Sequence, residues 1–119
     1  MRGVLIVLLF GLLAGCAGAP QAPEPREMTL QATTDDTLRE VVGLLQEEGY
    51  VIRHADAELG RVEAVMARWP GYRILATTVT DDDGTRLSLT AARGGSPLPP
   101  HLLDPLLAEL QRRLGLAPR

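Results

Sequence analysis

At 119 residues the chain has room for one domain. Its single cysteine excludes an internal disulfide and any cysteine-based metal site. A formal net charge of −3, with no basic stripe, argues against a nucleic-acid binder.

In chain order, residues 1–15 read as a signal peptide: Arg2, an apolar core from Val4 to Leu13, then the small residues Ala14 and Gly15. The core falls short of the about 20 residues that span a bilayer. Leu13-Ala14-Gly15-Cys16 runs aliphatic, small, small, cysteine, and resembles the lipobox of bacterial lipoproteins. The resemblance implies a diacylglyceryl group on the Cys16 sulfur, cleavage between Gly15 and Cys16, and acylation of the new amino terminus. Each buried methylene contributes about 0.8 kcal/mol and one chain anchors only marginally, so two or three chains would hold firmly. The alternatives are an ordinary secretory signal with an incidental cysteine, or a buried core thiol. In the Gram-negative lipoproteins it resembles, aspartate after the cysteine tends to retain the protein in the inner membrane, so with alanine at position 17 the resemblance implies the outer membrane, on its periplasmic face. Loss of Arg2 with the signal would take the mature chain from −3 to −4. The chain has neither lysine nor asparagine, which points to a GC-rich genome rather than a need for arginine.

Residues 16–27, with prolines at 20, 23 and 25, read as a semi-extended tether, and 28–119 as the folded domain. Met28, Leu30 and Ala32 alternate with polar residues as a first strand. Thr34 or Asp35 then caps a helix whose Leu38, Val41, Val42 and Leu45 share one face, and Gly49 ends it. Tyr50–His54 is a second strand, Arg61–Trp69 a third, Tyr72–Thr80 a fourth and Thr85–Ala92 a fifth. Pro70-Gly71 and "DDDG" at 81–84 supply the reversals. "RGGSPLPP" reads as a loop. Asp104-Pro105 starts a second helix, striped by Leu106, Leu107, Leu110 and Leu114 and closed by Gly115.

The expected fold is α+β in the order β-α-β-β-β-β-α: one antiparallel sheet with two helices packed on one face. Its inward set is Leu30, Leu38, Val42, Leu45, Ile52, Val62, Ala64, Met66, Ile74, Ala76, Leu87, Leu89, Leu106 and Leu110. The segment "TLREVVGLLQEEGYVIRHADAELGRVEA" resembles small envelope lipoprotein domains such as the outer-membrane assembly lipoprotein C family, through Leu38, Leu45, Gly49, Tyr50, Gly60, Val62 and Ala64. That resemblance implies a helix-grip-like fold. The family carries two such domains behind a long tail where this chain has one, and no functional residue transfers.

Catalytic chemistry finds little support. Ser88 lies mid-strand and Ser96 in a loop, without a nucleophile turn, and His54 and His101 fall in separate elements without ligand spacing. Asp81, Asp82 and Asp83 lack the alternate spacing and closing glutamate of a calcium loop, so they read as a polar hairpin tip; Asp35-Asp36 is a further pair. No metal or cofactor is expected beyond the lipid on Cys16.

The remaining feature is the sheet face away from the helices. Alternation puts Val51, Arg53, Glu63, Val65, Ala67, Trp69, Arg73, Leu75, Val79 and Arg86 there, more apolar than a solvated face normally reads. Trp69, Val65, Leu75, Arg53 and Arg73 form a candidate partner face, since Trp and Arg are enriched at binding hot spots. Alternatively these residues form a second core layer, with Arg53–Glu63 an ordinary cross-strand pair. The functional expectation is a non-catalytic outer-membrane lipoprotein, held by its lipid and acting as adaptor or structural accessory of an envelope protein complex. The alternative is a periplasmic binding module for a lipid or other amphiphile on the open sheet face.

Overall fold

The computed structural model describes residues 24–68 and 71–115. The expected signal peptide, Gly15, the expected lipidation site Cys16, most of the expected tether, and Trp69 lie outside the described residues. The described chain forms β1 (Arg26–Leu30), α1 (Thr34–Glu47), β2 (Tyr50–Asp56), β3 (Arg61–Met66), β4 (Tyr72–Asp81), β5 (Gly84–Arg93) and β6 (Ser96–Pro97). A 3₁₀ turn over Pro100–Leu103 then runs into α2 (Asp104–Leu114). The six strands make one antiparallel sheet, ordered β1-β5-β4-β3-β2, with β6 continuing along β5. This is the α+β architecture read from the pattern, with two additions. The first strand starts at Arg26 rather than Met28, and the loop after β5 contains the short β6, where Arg93 pairs with Ser96 and Ala92 with Pro97.

Local chemistry starts and stops these elements. The cap of α1 is Thr33, not Thr34 or Asp35: its Oγ1 accepts the Asp36 N–H at 3.1 Å. Asp35 and Asp36 then lie in the first turn, where the positive end of the helix dipole favours acids. Gly49, at φ +93°, turns the chain from α1 into β2. The third strand ends at Met66, short of the expected Trp69. The β4–β5 hairpin turns on Asp82-Asp83, and the Asp81 carboxylate accepts the Asp82 N–H at 2.7 Å. Gly84 cannot be another residue, because a Cβ there would stand 2.1 Å from the Leu30 carbonyl oxygen.

Asp104 does not cap α2. The 3₁₀ turn already brings the chain in with helical geometry, and Leu103 at the cap position makes no side-chain bond. The Asp104 carboxylate instead binds Arg26 of β1, Nε at 2.8 Å and Nη2 at 3.2 Å. Pro105 sits in the first turn, where its missing N–H has no intrahelical partner to lose.

Both helices pack on the same sheet face around one core. Leu30, Leu45, Leu87, Leu89 and Leu110 are fully buried in it, together with Val41, Leu44, Val62, Ala64, Ile74, Ala76, Ala91, Leu103 and Leu107. Burying each of these leucines contributes about 1.5–3 kcal/mol. Four expected core residues, Val42, Ile52, Met66 and Leu106, are only half-buried, because they fall at the margin of the helix layer. Arg113 joins the helices: it reaches Glu47 of α1 at 2.7 Å, Glu40 at 3.6 Å and Glu109 of its own helix at 2.9 Å.

Candidate functional site

Two surfaces carry chemistry. The first is the open sheet face. Here Val51 of β2 pairs with Val65 of β3, which pairs with Arg73 of β4, and Glu63 pairs with Leu75. Val51 and Val79 are 52% and 53% exposed, while Val65 and Leu75 are half-buried by their neighbours. Among the described residues no element packs over them as a second core layer. Arg61, Arg73 and Arg86 stand among them, so the face mixes β-branched and leucine side chains with cations.

Arg53 does not pair with Glu63. A β-bulge between Ile52 and His54 leaves Arg53 as the extra residue and sets His54 opposite Glu63. Glu63 faces Arg73 instead, at 3.9 Å. Both side chains of that pair are partly solvated, so it contributes less than about 1 kcal/mol. The bulge lies on β2, the outermost strand of the path, and with Arg53 exposed it blunts that edge against pairing with another chain.

The second surface is a cavity that the sequence reading did not identify. Tyr50 opens β2 and Tyr72 opens β4, each after a turn glycine and each two residues before an inward isoleucine, Ile52 and Ile74. Both rings therefore face the helix layer at one end of the sheet. There the C-terminal end of α1 and the N-terminal half of α2 leave a cavity of about 240 Å³. Leu44 of α1 and Glu48 just past its end line it, with Tyr50, Tyr72, Ile74 and Ala91 from the sheet, and Leu98, Leu102, Leu103, Pro105, Leu106 and Glu109 from the return segment and α2. The repeated Gly-Tyr-x-Ile at 49–52 and Gly-Tyr-x-Ile at 71–74, spelled with Val51 and Arg73 between, was the available signal.

The electrostatics of the cavity are one-sided. Burial holds the Tyr50 phenol above its ordinary range, and Tyr72 and the Glu48 carboxylate add to the effect, so Tyr50 is a neutral hydrogen-bonding group. Hydrogen bonds from Arg112 and Arg113 hold the Glu109 carboxyl below its ordinary range. Glu109 is thus already satisfied, whereas Glu48 has no ion-pair partner among the described residues. No basic side chain is among the described residues lining the cavity.

The chain enters the domain at this same end. Arg26 pairs with Leu89, so Glu24 and Pro25 lie toward the Arg93 end of β5, and Arg93 pairs with Tyr72.

The other sequence candidates stay apart. His54 is exposed on β2 and His101 exposed in the 3₁₀ turn. Ser88 lies mid-strand opposite Thr77, and Ser96 belongs to β6. Asp81–Asp83 form the β4–β5 hairpin tip and Asp35-Asp36 the first turn of α1. Among the described residues no three His, Cys, Asp or Glu come together in a group that could hold a metal ion. No described helix is long and apolar enough to cross a membrane. No protein-family model matches the chain, and neither does any curated protein.

Proposed function

We propose that the protein is a non-catalytic accessory of the bacterial cell envelope, anchored by lipid on Cys16 at the periplasmic face of the outer membrane. It docks on an envelope protein through the open sheet face. The observation that carries the docking is the face itself: Val51, Val65, Leu75 and Val79 lie among Arg61, Arg73 and Arg86, opposed by Glu63, with no described element packed over them. Arginine is among the residues enriched at binding hot spots, the valines and leucine supply apolar area between the three arginines, and the cationic excess suits an acidic rim on the partner. The anchor reading is supported by "LAGC" at 13–16 and the proline-bearing segment behind it.

Native mass spectrometry of the protein, extracted gently from its own membranes, tests both parts. The expected mature species starts at Cys16 with acyl mass added and carries a protein partner at fixed stoichiometry. A chain still starting at Met1, or trimmed without acyl mass, would refute the anchor. Loss of the partner in Val51→Asp and Leu75→Asp, with the fold retained, is expected; an unchanged complex would refute the docking face. A second reading, a binding module for an amphiphile, is favoured by the Tyr50–Tyr72 cavity rather than by the sheet face.

A further inference from the structure

We infer that the cavity at the Tyr50–Tyr72 end of the sheet binds a small cationic amphiphile: a short aliphatic body carrying an ammonium head. The inference rests on the binding-module reading and is independent of the docking face. It commits that reading to a site and a ligand class.

Size sets the body of the ligand. A cavity of about 240 Å³ holds roughly eight water-sized groups, enough to take in a six-carbon chain with its head and too little to take in a whole phospholipid or sterol. Leu44, Ile74 and Leu106 supply apolar walls from three different elements, against which the aliphatic part packs.

Charge sets the head. The exposed carboxylate of Glu48 stands at the rim beside two tyrosine rings, with no described base lining the cavity to neutralise it. An ammonium group there gains a charge-assisted hydrogen bond and attraction to the faces of the rings. A carboxylate or phosphate head meets Glu48 with nothing to offset the repulsion. Glu109 does not compete for the ligand, because Arg112 and Arg113 already hold it. The cavity also lies at the end where the chain enters the domain, so an anchored protein presents it toward the tether.

The test is calorimetry on the mature lipidated protein in phosphatidylcholine nanodiscs, with titration into empty nanodiscs subtracted. The probes are n-hexylammonium, hexanol and hexanoate, which share a body and differ in the head. Hexylammonium is expected to bind saturably at one site, about tenfold tighter than hexanol, with hexanoate weakest. Glu48→Gln should bring hexylammonium down to the level of hexanol while leaving hexanol unchanged. Leu102→Trp fills the rim from a half-exposed position and should weaken both, with its melting temperature as a check on folding. Equal affinity for all three heads would overturn the cationic class and leave a binding module. Absence of saturable binding by any probe would overturn the module as well. Binding that survives Leu102→Trp would overturn the location.

Discussion

The Gly60 carbonyl accepts two hydrogen bonds from Thr78, one from its backbone N–H at 2.7 Å and one from its Oγ1 at 3.2 Å. This fastens the turn before β3 onto the middle of β4. The closeness forbids a side chain at position 60, since a Cβ there would stand 2.6 Å from Thr78 Oγ1 and 2.8 Å from Thr78 O.

Gly60→Ala is therefore expected to cost at least about 2 kcal/mol, from positive φ and overlap together. Gly84→Ala, which meets the Leu30 carbonyl, should cost no less. Gly43→Ala is the opposite case: it lies inside α1 with nothing within 4 Å of the added Cβ, and should stabilise by about 1 kcal/mol. Urea unfolding of the three variants separates these outcomes.

Two further buried threonines differ in what their hydroxyls do. Thr85 Oγ1 donates to the Ala32 carbonyl at 2.7 Å, whereas Thr37 Oγ1 is buried with no hydrogen-bond partner. Thr85→Val should cost about 1 kcal/mol, because it also leaves the Ala32 carbonyl short of a donor. Thr37→Val should be neutral or stabilising, because it removes a polar atom that burial penalises. Thermal melting of the pair gives the comparison.

The two faces of the sheet make a further contrast on neighbouring strands. Leu87→Ala, at a fully buried position on β5, should cost about 2–5 kcal/mol. Val79→Thr, on the open face of β4 and 53% exposed, should stay within about 0.5 kcal/mol. Chemical denaturation with matched slopes is the measurement.

Stability should also fall in acid. Arg112 and Arg113 hold the Glu109 carboxyl below its ordinary 4.5, so the unfolded chain takes up a proton there before the folded chain does. The contribution is complete above pH 4.5 and is lost as pH falls through the lower folded-state value. The urea midpoint of the native chain should drop toward that of Glu109→Gln on going from neutral pH to about pH 3.

Much of this architecture was written in local patterns. Alternation in Tyr72–Asp81 and Gly84–Arg93, with Asp-Gly between, defines a hairpin because period-two patterning has only one way to bury Ile74, Ala76, Leu87 and Leu89 together. The helix over Thr34–Glu47 followed from its apolar spacing and from Gly49. What misled was competition between equivalent local options. Thr33, Thr34 and Asp35 are all good caps, and Thr33 is the one whose backbone stays extended, at φ −71° and ψ 162°, while Thr34 and Asp35 are already helical. Asp104 has the chemistry of a cap, but Arg26, far away in sequence, takes its carboxylate.

The sites divide in the same way. Composition and spacing were enough to specify one sheet, two helices, the inward leucines and an outer face carrying Val65, Leu75 and Arg73, because each depends on periodicity along a single segment. Periodicity also turned Tyr50 and Tyr72 toward the helices. The bulge that sets His54 against Glu63 depends on how β2 meets β3, and the cavity between the tyrosines, Leu44 and Leu106 on how two helices spread over one sheet. Such relations join segments far apart in the chain, and side-chain packing settles them only when the layers close.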